Sequence, residues 1–204
     1  MNEALCTLTR KPDRAAERDV LDEVFDRSLV ATVSTVVDGQ PWVVPTFVIR
    51  DGNRLLLHGS TGAGALRHVA NGAPVAVSAF LLDALVVAER QFEHSANYRS
   101  AVVRGTCTEV GEADTATTLD LFTERILPGR PAECPAHTTR ELAATLVLEL
   151  AITGDNWIAK QRSGPPSMPT GESWVGVIPV HSAYGTPVSD SRCPLPNSVC
   201  RLIG

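Results

Sequence analysis

The sequence predicts a mainly β protein, a closed antiparallel β-barrel with helical decorations that forms one domain over residues 1–204. Many short segments are rich in β-branched residues, and turn-forming dipeptides separate them. Only a few stretches carry the apolar stripe of a helix. A chain of 204 residues also buries enough apolar surface for a full core without a metal or a disulfide.

The first elements are a polar arm and a helix. Residues 1–18 mix acidic and basic side chains and are predicted to form the arm. Residues 18–27 repeat apolar side chains at helical spacing, which predicts a short amphipathic helix. The apolar stripe consists of Val20, Leu21, Val24 and Phe25.

Three strands joined by tight turns follow and predict an antiparallel meander. Residues 28–37 are β-branched and are followed by Asp38-Gly39, a dipeptide typical of a two-residue hairpin. Residues 41–50 form the return strand. A second turn at 51–53 leads into a third strand at 54–58.

The remainder of the chain mixes strands with short helices. Small residues open a predicted helix at 62–70, and Gly72 closes it. Asp83-Ala84 is predicted to be a turn between two strands. The predicted strands are 73–82, 85–92, 98–110, 146–152 and 174–180. The other predicted elements are helices at 114–127 and 138–145, a Gly/Pro-rich loop at 163–173 and an irregular tail at 185–204.

Composition narrows the class of partner and the compartment. The net charge of -5 and pI of about 5.5 argue against nucleic acid or an anionic membrane as a partner. No apolar run is long enough to span a bilayer, and the N-terminus lacks a secretory signal. The cysteines are scattered without a C-x-x-C pair, which predicts no metal site and reduced thiols in the cytoplasm. A Cys193–Cys200 bridge stays open.

The segment HGSTGAGALR, His58 to Arg67, is the most informative for chemistry. It follows a strand and opens a helix, and its small residues would let a phosphate approach the backbone. Arg67 could then reach back to that phosphate. A plain helix start is the alternative. His58 is open between a structural hydrogen bond and a cofactor contact or proton donor.

A second polar stretch, EHSANYRSAVVRG at residues 93–105, precedes an alternating strand and has a solvated hairpin corner as its alternative reading. The segments resembling a known family are DGQPWVVPTFVIRDGNRLLLHGS, ANGAPVAVSAFLLDALVVAERQFEHSANYRSAVVRG, AKQRSGPP and WVGVIPV. In this order they resemble the pyridoxamine 5′-phosphate oxidase-like flavin-binding proteins, and most closely the flavin-nucleotide-binding or nitroimidazole-resistance-like branch. The resemblance runs over residues 10–190.

The resemblance implies a split β-barrel of Greek-key type, a homodimer, and FMN at the subunit interface. By that resemblance, the strand at the flavin ring consists of Pro45, Thr46, Phe47 and Val48. The segment implied at the ribityl phosphate consists of His58, Gly59, Ser60, Thr61 and the helix start that follows. Ser100 stands where the oxidases proper place a flavin-contacting Gln, and the segment around Lys160 resembles one that arrives from the other chain.

Two departures qualify the resemblance. Gly64 stands where many relatives have a Lys or Arg, so phosphate charge compensation is expected from Arg67 with Lys160 or Arg162. The tail lacks the Arg-x-His-x-Arg of the oxidases proper, so pyridoxamine phosphate oxidation is not expected. The expected function is an FMN-dependent oxidoreductase of a small molecule. The alternatives are a non-catalytic flavin or haem binder and a deazaflavin F420-dependent reductase; no catalytic side chain is predicted.

Overall fold

Ten strands form one antiparallel sheet in a computed structural model that describes residues 11–189 and 192–203. The strands are β1 (Ala15–Ala16), β2 (Val30–Val37), β3 (Gln40–Asp51), β4 (Arg54–Ser60), β5 (Pro74–Val87), β6 (Ser95–Thr106), β7 (Thr108–Glu109), β8 (Thr145–Ala151), β9 (Trp157–Arg162) and β10 (Gly176–Pro179). The α-helices are α1 (Arg18–Arg27), α2 (Gly64–Ala70), α3 (Glu112–Ile126), α4 (Thr139–Ala144) and α5 (Asn197–Ile203). The strand order is β1-β9-β6-β5-β2-β3-β4-β8-β7, and β10 pairs with β5.

The long strand β3 curls the sheet because it changes partner along its length. Residues 40–47 pair with β2, and residues 48–51 pair with β4. Val48 and Ile49 are both buried, and since neighbouring side chains point to opposite faces, the strand is covered on both sides there. The sheet therefore becomes a half-barrel, and the mainly antiparallel β class is confirmed.

Helix α1 lies on the concave side of the half-barrel and carries the main core. Leu21, Val24 and Phe25 are fully buried, so the apolar stripe predicted from the sequence faces the sheet. They join inward-facing valines of the strands, among them Val33 and Val77. A second cluster forms under α3, and its buried members are Ile49, Leu56, Leu119, Phe122 and Val147.

Ion pairs fix α1 to the sheet. Arg99 of β6, whose side chain is only 12% exposed, pairs with Glu23 of α1 and with Asp83 of β5. These two carboxylates raise the pKa of Arg99 above its ordinary value, the hydrogen bond to Asp83 being the larger cause. Arg50 and Arg125 share the carboxylate of Asp26.

The turn predicted at Asp83-Ala84 is wrong. Residues 74–87 are one strand, and its register on β6 shifts between Leu82 and Ala84. The strand continues because Asp83 accepts hydrogen bonds from Arg99, a partner 16 residues away, and because β10 pairs with residues 84–87. The predicted strand at 85–92 therefore ends at Val87.

Other boundaries also differ from the sequence expectation. Strand β9 was not predicted. A closed barrel was expected, but the strands of the described part of the chain form an open sheet. The helix expected from residue 62 begins at Gly64. The tail expected to be irregular contains α5, which Glu133 holds by accepting hydrogen bonds from the backbone and hydroxyl of Ser198. Part of the polar arm, residues 1–10, lies outside the described residues. No disulfide joins Cys193 to Cys200.

We predict that Arg99→Ala destabilises the fold far more than Arg27→Ala. Both changes remove a partner of Glu23, but the Arg27–Glu23 pair is largely exposed, whereas Arg99 is enclosed by two carboxylates. The expected loss in free energy of unfolding is about 2–3 kcal/mol for Arg99→Ala and below about 1 kcal/mol for Arg27→Ala. Urea denaturation measures both, and equal losses would contradict this account of α1.

Candidate functional site

The strands β3 and β4 separate beyond their last paired residues, Val48 and Leu57. From there β3 stays with β2, while β4 stays with β8 as far as Ser60. Helix α2 lies across the opening. The resulting β3–β4 cleft has a volume of about 230 Å³ and is lined chiefly by Trp42, Val44, Thr46, His58, Gly59, Ala63 and Leu66.

One backbone edge of β3 faces this cleft without a strand partner among the described residues. The N–H of Val48 donates to Leu29 O at 3.3 Å, on the β2 side. Backbone groups alternate in direction along an antiparallel strand, so Phe47 and Pro45 direct theirs to the other edge. Pro45 has no N–H to offer, which suits an edge position. The predicted ring-contacting segment therefore has an available edge.

The side chains of residues 45–48, the predicted ring-contacting segment, lie in different environments. Thr46 lines the cleft, and Val48 is buried in the main core. Pro45 and Phe47 are exposed on the outer face of the sheet. Only the backbone and Thr46 therefore serve the cleft within this chain.

Gly59 leaves room for the Leu66 side chain of α2 against β4. A Cβ placed on Gly59 would come within 2.3 Å of Leu66 Cδ1, so a larger residue would force that side chain to move. Because Leu66 lines the cleft, such a change would alter the cleft wall.

His58 lies at the boundary between the cleft and α3. Its ring meets the ring of Phe122 edge-on, with 4.3 Å between centroids. Burial lowers the pKa of His58 below its ordinary value, so the ring is neutral near pH 7. Its Nδ1 is buried and has no hydrogen-bond partner among the residues that the structure describes. Such an atom can receive a partner from a bound ligand.

Most backbone N–H groups of the loop before α2 already donate hydrogen bonds to other groups of the same chain. The N–H of Thr61 donates to Ala144 O at 3.0 Å, the N–H of Ala63 to Ser60 O at 2.9 Å, and the N–H of Gly62 to the Ser60 hydroxyl at 3.2 Å. Helix α2 has only seven residues, so its dipole offers little to an anion. Charge compensation for a phosphate must therefore come from cations.

The cation predicted here, Arg67, is available. Its side chain is exposed and forms no ion pair among the described residues. Gly64 opens the helix with nothing within 4 Å of the place where a side chain would stand. The local segment thus offers one positive charge beside open space.

The remaining predicted residues lie on the β6–β9 pair. Ser100 stands opposite Lys160, and Tyr98 stands opposite Arg162. Three strand spacings separate β6 from β3, a distance of about 14 Å. Within one chain the structure therefore does not bring Ser100 and Lys160 to the β3–β4 cleft.

Arg162 and Lys160 differ in their surroundings. Arg162 donates to Asn97 Oδ1 at 2.6 Å, and Asn97 in turn donates to Gly164 O, so Arg162 helps to hold the following loop. Lys160 forms no ion pair in the described part of the chain and stays available. Sequence reasoning missed Trp42, Val44 and Leu66 as cleft residues, although two-residue alternation back from Thr46 indicates the first two.

The half-barrel, the separation of β3 and β4, and the cleft beside α2 define a split β-barrel, and comparison with known proteins identifies the family. The family model described as pyridoxamine 5′-phosphate oxidase matches residues 17–155. The chain belongs to this family. No curated protein gives a significant match to the sequence.

Solved structures agree with this assignment. The FAD and haem binding protein from Mycobacterium smegmatis is 42% identical, with a TM-score of 0.89 over 94% of this chain and 97% of that one. The flavocytochrome Anf3 from Azotobacter vinelandii is 28% identical, with a TM-score of 0.86 over 96% of this chain and 95% of that one. A candidate 5-nitroimidazole antibiotic resistance protein from Bacteroides thetaiotaomicron shares the fold at 15% identity and a TM-score of 0.61, over 72% and 86%.

The buried ring of His58 predicts an acid-side loss of stability. Because burial lowers its pKa in the folded state, the unfolded chain binds a proton more readily as the pH falls below about 6.5. The free energy of unfolding should therefore fall from there until the folded-state pKa is passed. The parent should lose up to about 1.4 kcal/mol per pH unit relative to His58→Gln.

Urea denaturation between about pH 5 and pH 7 measures this difference. His94→Gln, at an exposed histidine, is the matched control for removing an imidazole. Identical pH slopes for the parent and His58→Gln would show that the buried ring does not titrate as described.

Proposed function

We propose that this chain binds a flavin nucleotide and acts as an electron-transferring oxidoreductase on a small molecule. The observation that carries the proposal is the unpaired edge of β3 beside the β3–β4 cleft. It occurs in a chain 42% identical to a protein described as binding FAD and haem. A flavin, when bound, supplies the redox chemistry, and the protein supplies position and electrostatics.

The residues of the cleft have separate tasks in this proposal. The free backbone groups of β3 at Phe47 and Pro45 fix the edge of a planar ring. Thr46 adds a hydroxyl, and the unpartnered Nδ1 of His58 accepts or donates one hydrogen bond, according to its tautomer. Trp42 and Leu66 exclude water from the inner side of the cleft.

The identity of the flavin is a separate point. FMN is the sequence expectation, whereas FAD is favoured by the 42% identity to a protein described as binding FAD and haem. FMN and FAD share the ring, the ribityl chain and the first phosphate. The roles of β3 and Arg67 are therefore the same for either one.

A homodimer is part of the proposal. Along the sheet, Ser100 lies about 14 Å and Lys160 about 19 Å from β3 in the same chain, so they reach one cofactor together with β3 only if two chains share it. The outer face of the sheet also exposes large apolar side chains at the end that carries Ser100 and Lys160, with Val30 52% and Phe80 70% exposed. A two-fold axis would cover both copies of that end of the face at once.

Haem is the second cofactor that the similarity favours, and His181 fits it. Haem iron is commonly held by histidine. In the part of the chain that the structure describes, His181 alone among the histidines is both exposed and without a hydrogen bond or an ion pair. It follows β10 among exposed apolar side chains, those of Ile178, Val180 and Tyr184.

Three further points complete the proposal: the substrate, the cellular location and the absence of a membrane-spanning helix among the described residues. We do not assign pyridoxamine phosphate oxidation, because the tail lacks the Arg-x-His-x-Arg pattern. A cytoplasmic location is supported by the unbridged thiols of Cys107, Cys134 and Cys200. No helix among the described residues is long and apolar enough to cross a membrane. Deazaflavin F420 and a non-catalytic binder are the alternatives.

The first test of the proposal identifies the bound groups and uses His181→Ala. Protein purified from its host should release FAD on denaturation, identified by mass, and should show the Soret absorption of haem. The His181→Ala protein should keep the flavin and lose the Soret band, because it lacks the proposed axial ligand.

His94→Ala is the matched control, since it removes a histidine whose Nδ1 is already engaged with Arg90 O at 3.0 Å. Release of FMN would restore the sequence expectation, and release of F420 would replace the flavin. Protein that contains no flavin and binds none on addition would contradict the proposal. A Soret band that survives His181→Ala would remove only the ligand assignment.

A separate prediction concerns Lys160 and the second chain. If Lys160 reaches the flavin phosphate of its partner, Lys160→Ala should weaken flavin binding about tenfold through loss of a charge-assisted contact. It should also reduce the stabilisation of the dimer by flavin, because a ligand bound by both chains links binding to assembly. Flavin titration and sedimentation measure the two effects.

Lys11→Ala is the control, since Lys11 is the only other lysine in the chain. Arg162 is left in place because it holds Asn97. Parental affinity in Lys160→Ala would exclude the cross-subunit contact while leaving the β3–β4 cleft as a flavin site.

A further inference from the structure

Arg104 stands out among the charged residues because part of its guanidinium is buried without a partner. Its Nη1 is inaccessible to solvent and makes no hydrogen bond within the described residues. The backbone at Arg104 is fixed, since Arg104 N donates to Asn156 O at 2.8 Å and Asn156 Nδ2 donates to Arg104 O at 2.8 Å. The starting point of the side chain at the groove is thus fixed.

Seven of the fifteen arginines in the described residues form ion pairs, and Arg104 is not one of them. Ion pairs with Asp or Glu are formed by Arg18, Arg27, Arg50, Arg54, Arg99, Arg125 and Arg130. Arg104 has no carboxylate partner among the described residues. Because Arg104 also lines a groove that is open to solvent, a ligand can supply the anion that the described part of the chain does not.

The groove in front of Arg104 is open and uncharged apart from it. Ser34, Ala76 and Arg104 lie side by side across β2, β5 and β6. Together with Val36 and Pro41 they line a groove of about 640 Å³, which is within the range of small-molecule sites. No Asp or Glu lines it. The Ser34 hydroxyl already donates to Ala76 O, so Arg104 is the charged donor there.

The charges on the surrounding face of the sheet also favour an anionic ligand. The outward positions on β2, β5, β6 and β9 carry Arg104, Lys160 and Arg162 but no Asp or Glu, although the whole chain has a net charge of -5. A face without acids in an acidic protein favours an anion. The apolar walls at Val36 and Pro41 favour an anion with an apolar body.

We propose that the Arg104 groove is a binding site for a small organic anion, with a carboxylate seated on the Arg104 guanidinium and an apolar body along Val36 and Pro41. Guanidinium binds carboxylate through two parallel hydrogen bonds, and the donors of Arg104 that line the groove supply them. This site is separate from the β3–β4 cleft, and it does not require a bound flavin.

The test compares two probes with the same phenylpropyl body, 4-phenylbutyrate, which ends in a carboxylate, and 4-phenylbutan-1-ol, which ends in an uncharged hydroxyl. Calorimetric titration of the purified protein, with its natural cofactors present, should show tighter binding of the carboxylate. Arg104→Gln should weaken 4-phenylbutyrate about 10- to 100-fold and leave the alcohol unchanged. Arg104→Lys should fall between, because it keeps the charge but loses the planar fork.

Two further variants control the result. Arg140→Gln removes the same charge from an exposed position outside the groove and should bind both probes as the parent does. Ala76→Leu fills the groove while keeping Arg104, so it should weaken both probes and serves if Arg104→Gln does not fold. Absorbance of bound cofactor in each variant reports on the flavin site.

Several outcomes would overturn the proposal. Equal affinity of the two probes for the parent, or unchanged 4-phenylbutyrate affinity in Arg104→Gln, would remove the anion site. Loss of flavin together with the probe in Arg104→Gln would place Arg104 in the flavin site instead. A parent that binds neither probe, with a dimer that dissociates more readily in Arg104→Gln, would show that a carboxylate of a second copy occupies the groove.

Discussion

The exchange of partners along β3 is the constraint on which the rest of the structure depends. The strand must be apolar on both faces at Val48 and Ile49, because it passes there from the main core to the cluster under α3. The same exchange leaves residues 40–47 with a partner on one edge only. The half-barrel shape and the β3–β4 cleft therefore both result from the change of pairing partner along β3. Gly59 leaves room for the side chain of Leu66, through which α2 lines the cleft.

Charge is divided between the two faces of the sheet. On the concave side, carboxylates of α1 engage Arg99 and Arg50, so an acidic helix is neutralised by the strands that it covers. On the outer face, Arg104 and Lys160 have no such partners among the described residues. This division gives a protein of net charge -5 a cationic surface without weakening the attachment of its helix. The cations that stabilise the fold are therefore different from those to which we assign anion binding.

Local signals in the sequence were sufficient for elements that are held together locally. Asp38 and Gly39 have φ values of 49° and 74°, as the predicted hairpin turn requires, and the apolar stripe of α1 is buried. The sequence predictions were wrong where residues distant in the sequence determine the local structure. Asp83 favours a turn by itself, but Arg99 draws it into a continuous strand. Family resemblance indicated the edge of β3, whereas the unpaired Nη1 of Arg104 depends on neighbours from three strands and has no signal in the sequence.

An unpaired strand edge is normally a hazard, because another chain can add to it. The sequence of β3 reduces that hazard with prolines. Pro41 and Pro45 belong to the same alternate set of residues as Phe47, so both remove an N–H from the unpaired edge. A second strand would find too few donors there, whereas a planar ligand that needs only one or two hydrogen bonds would not. The two prolines therefore help to explain how this edge stays open to a small cofactor and resists strand addition.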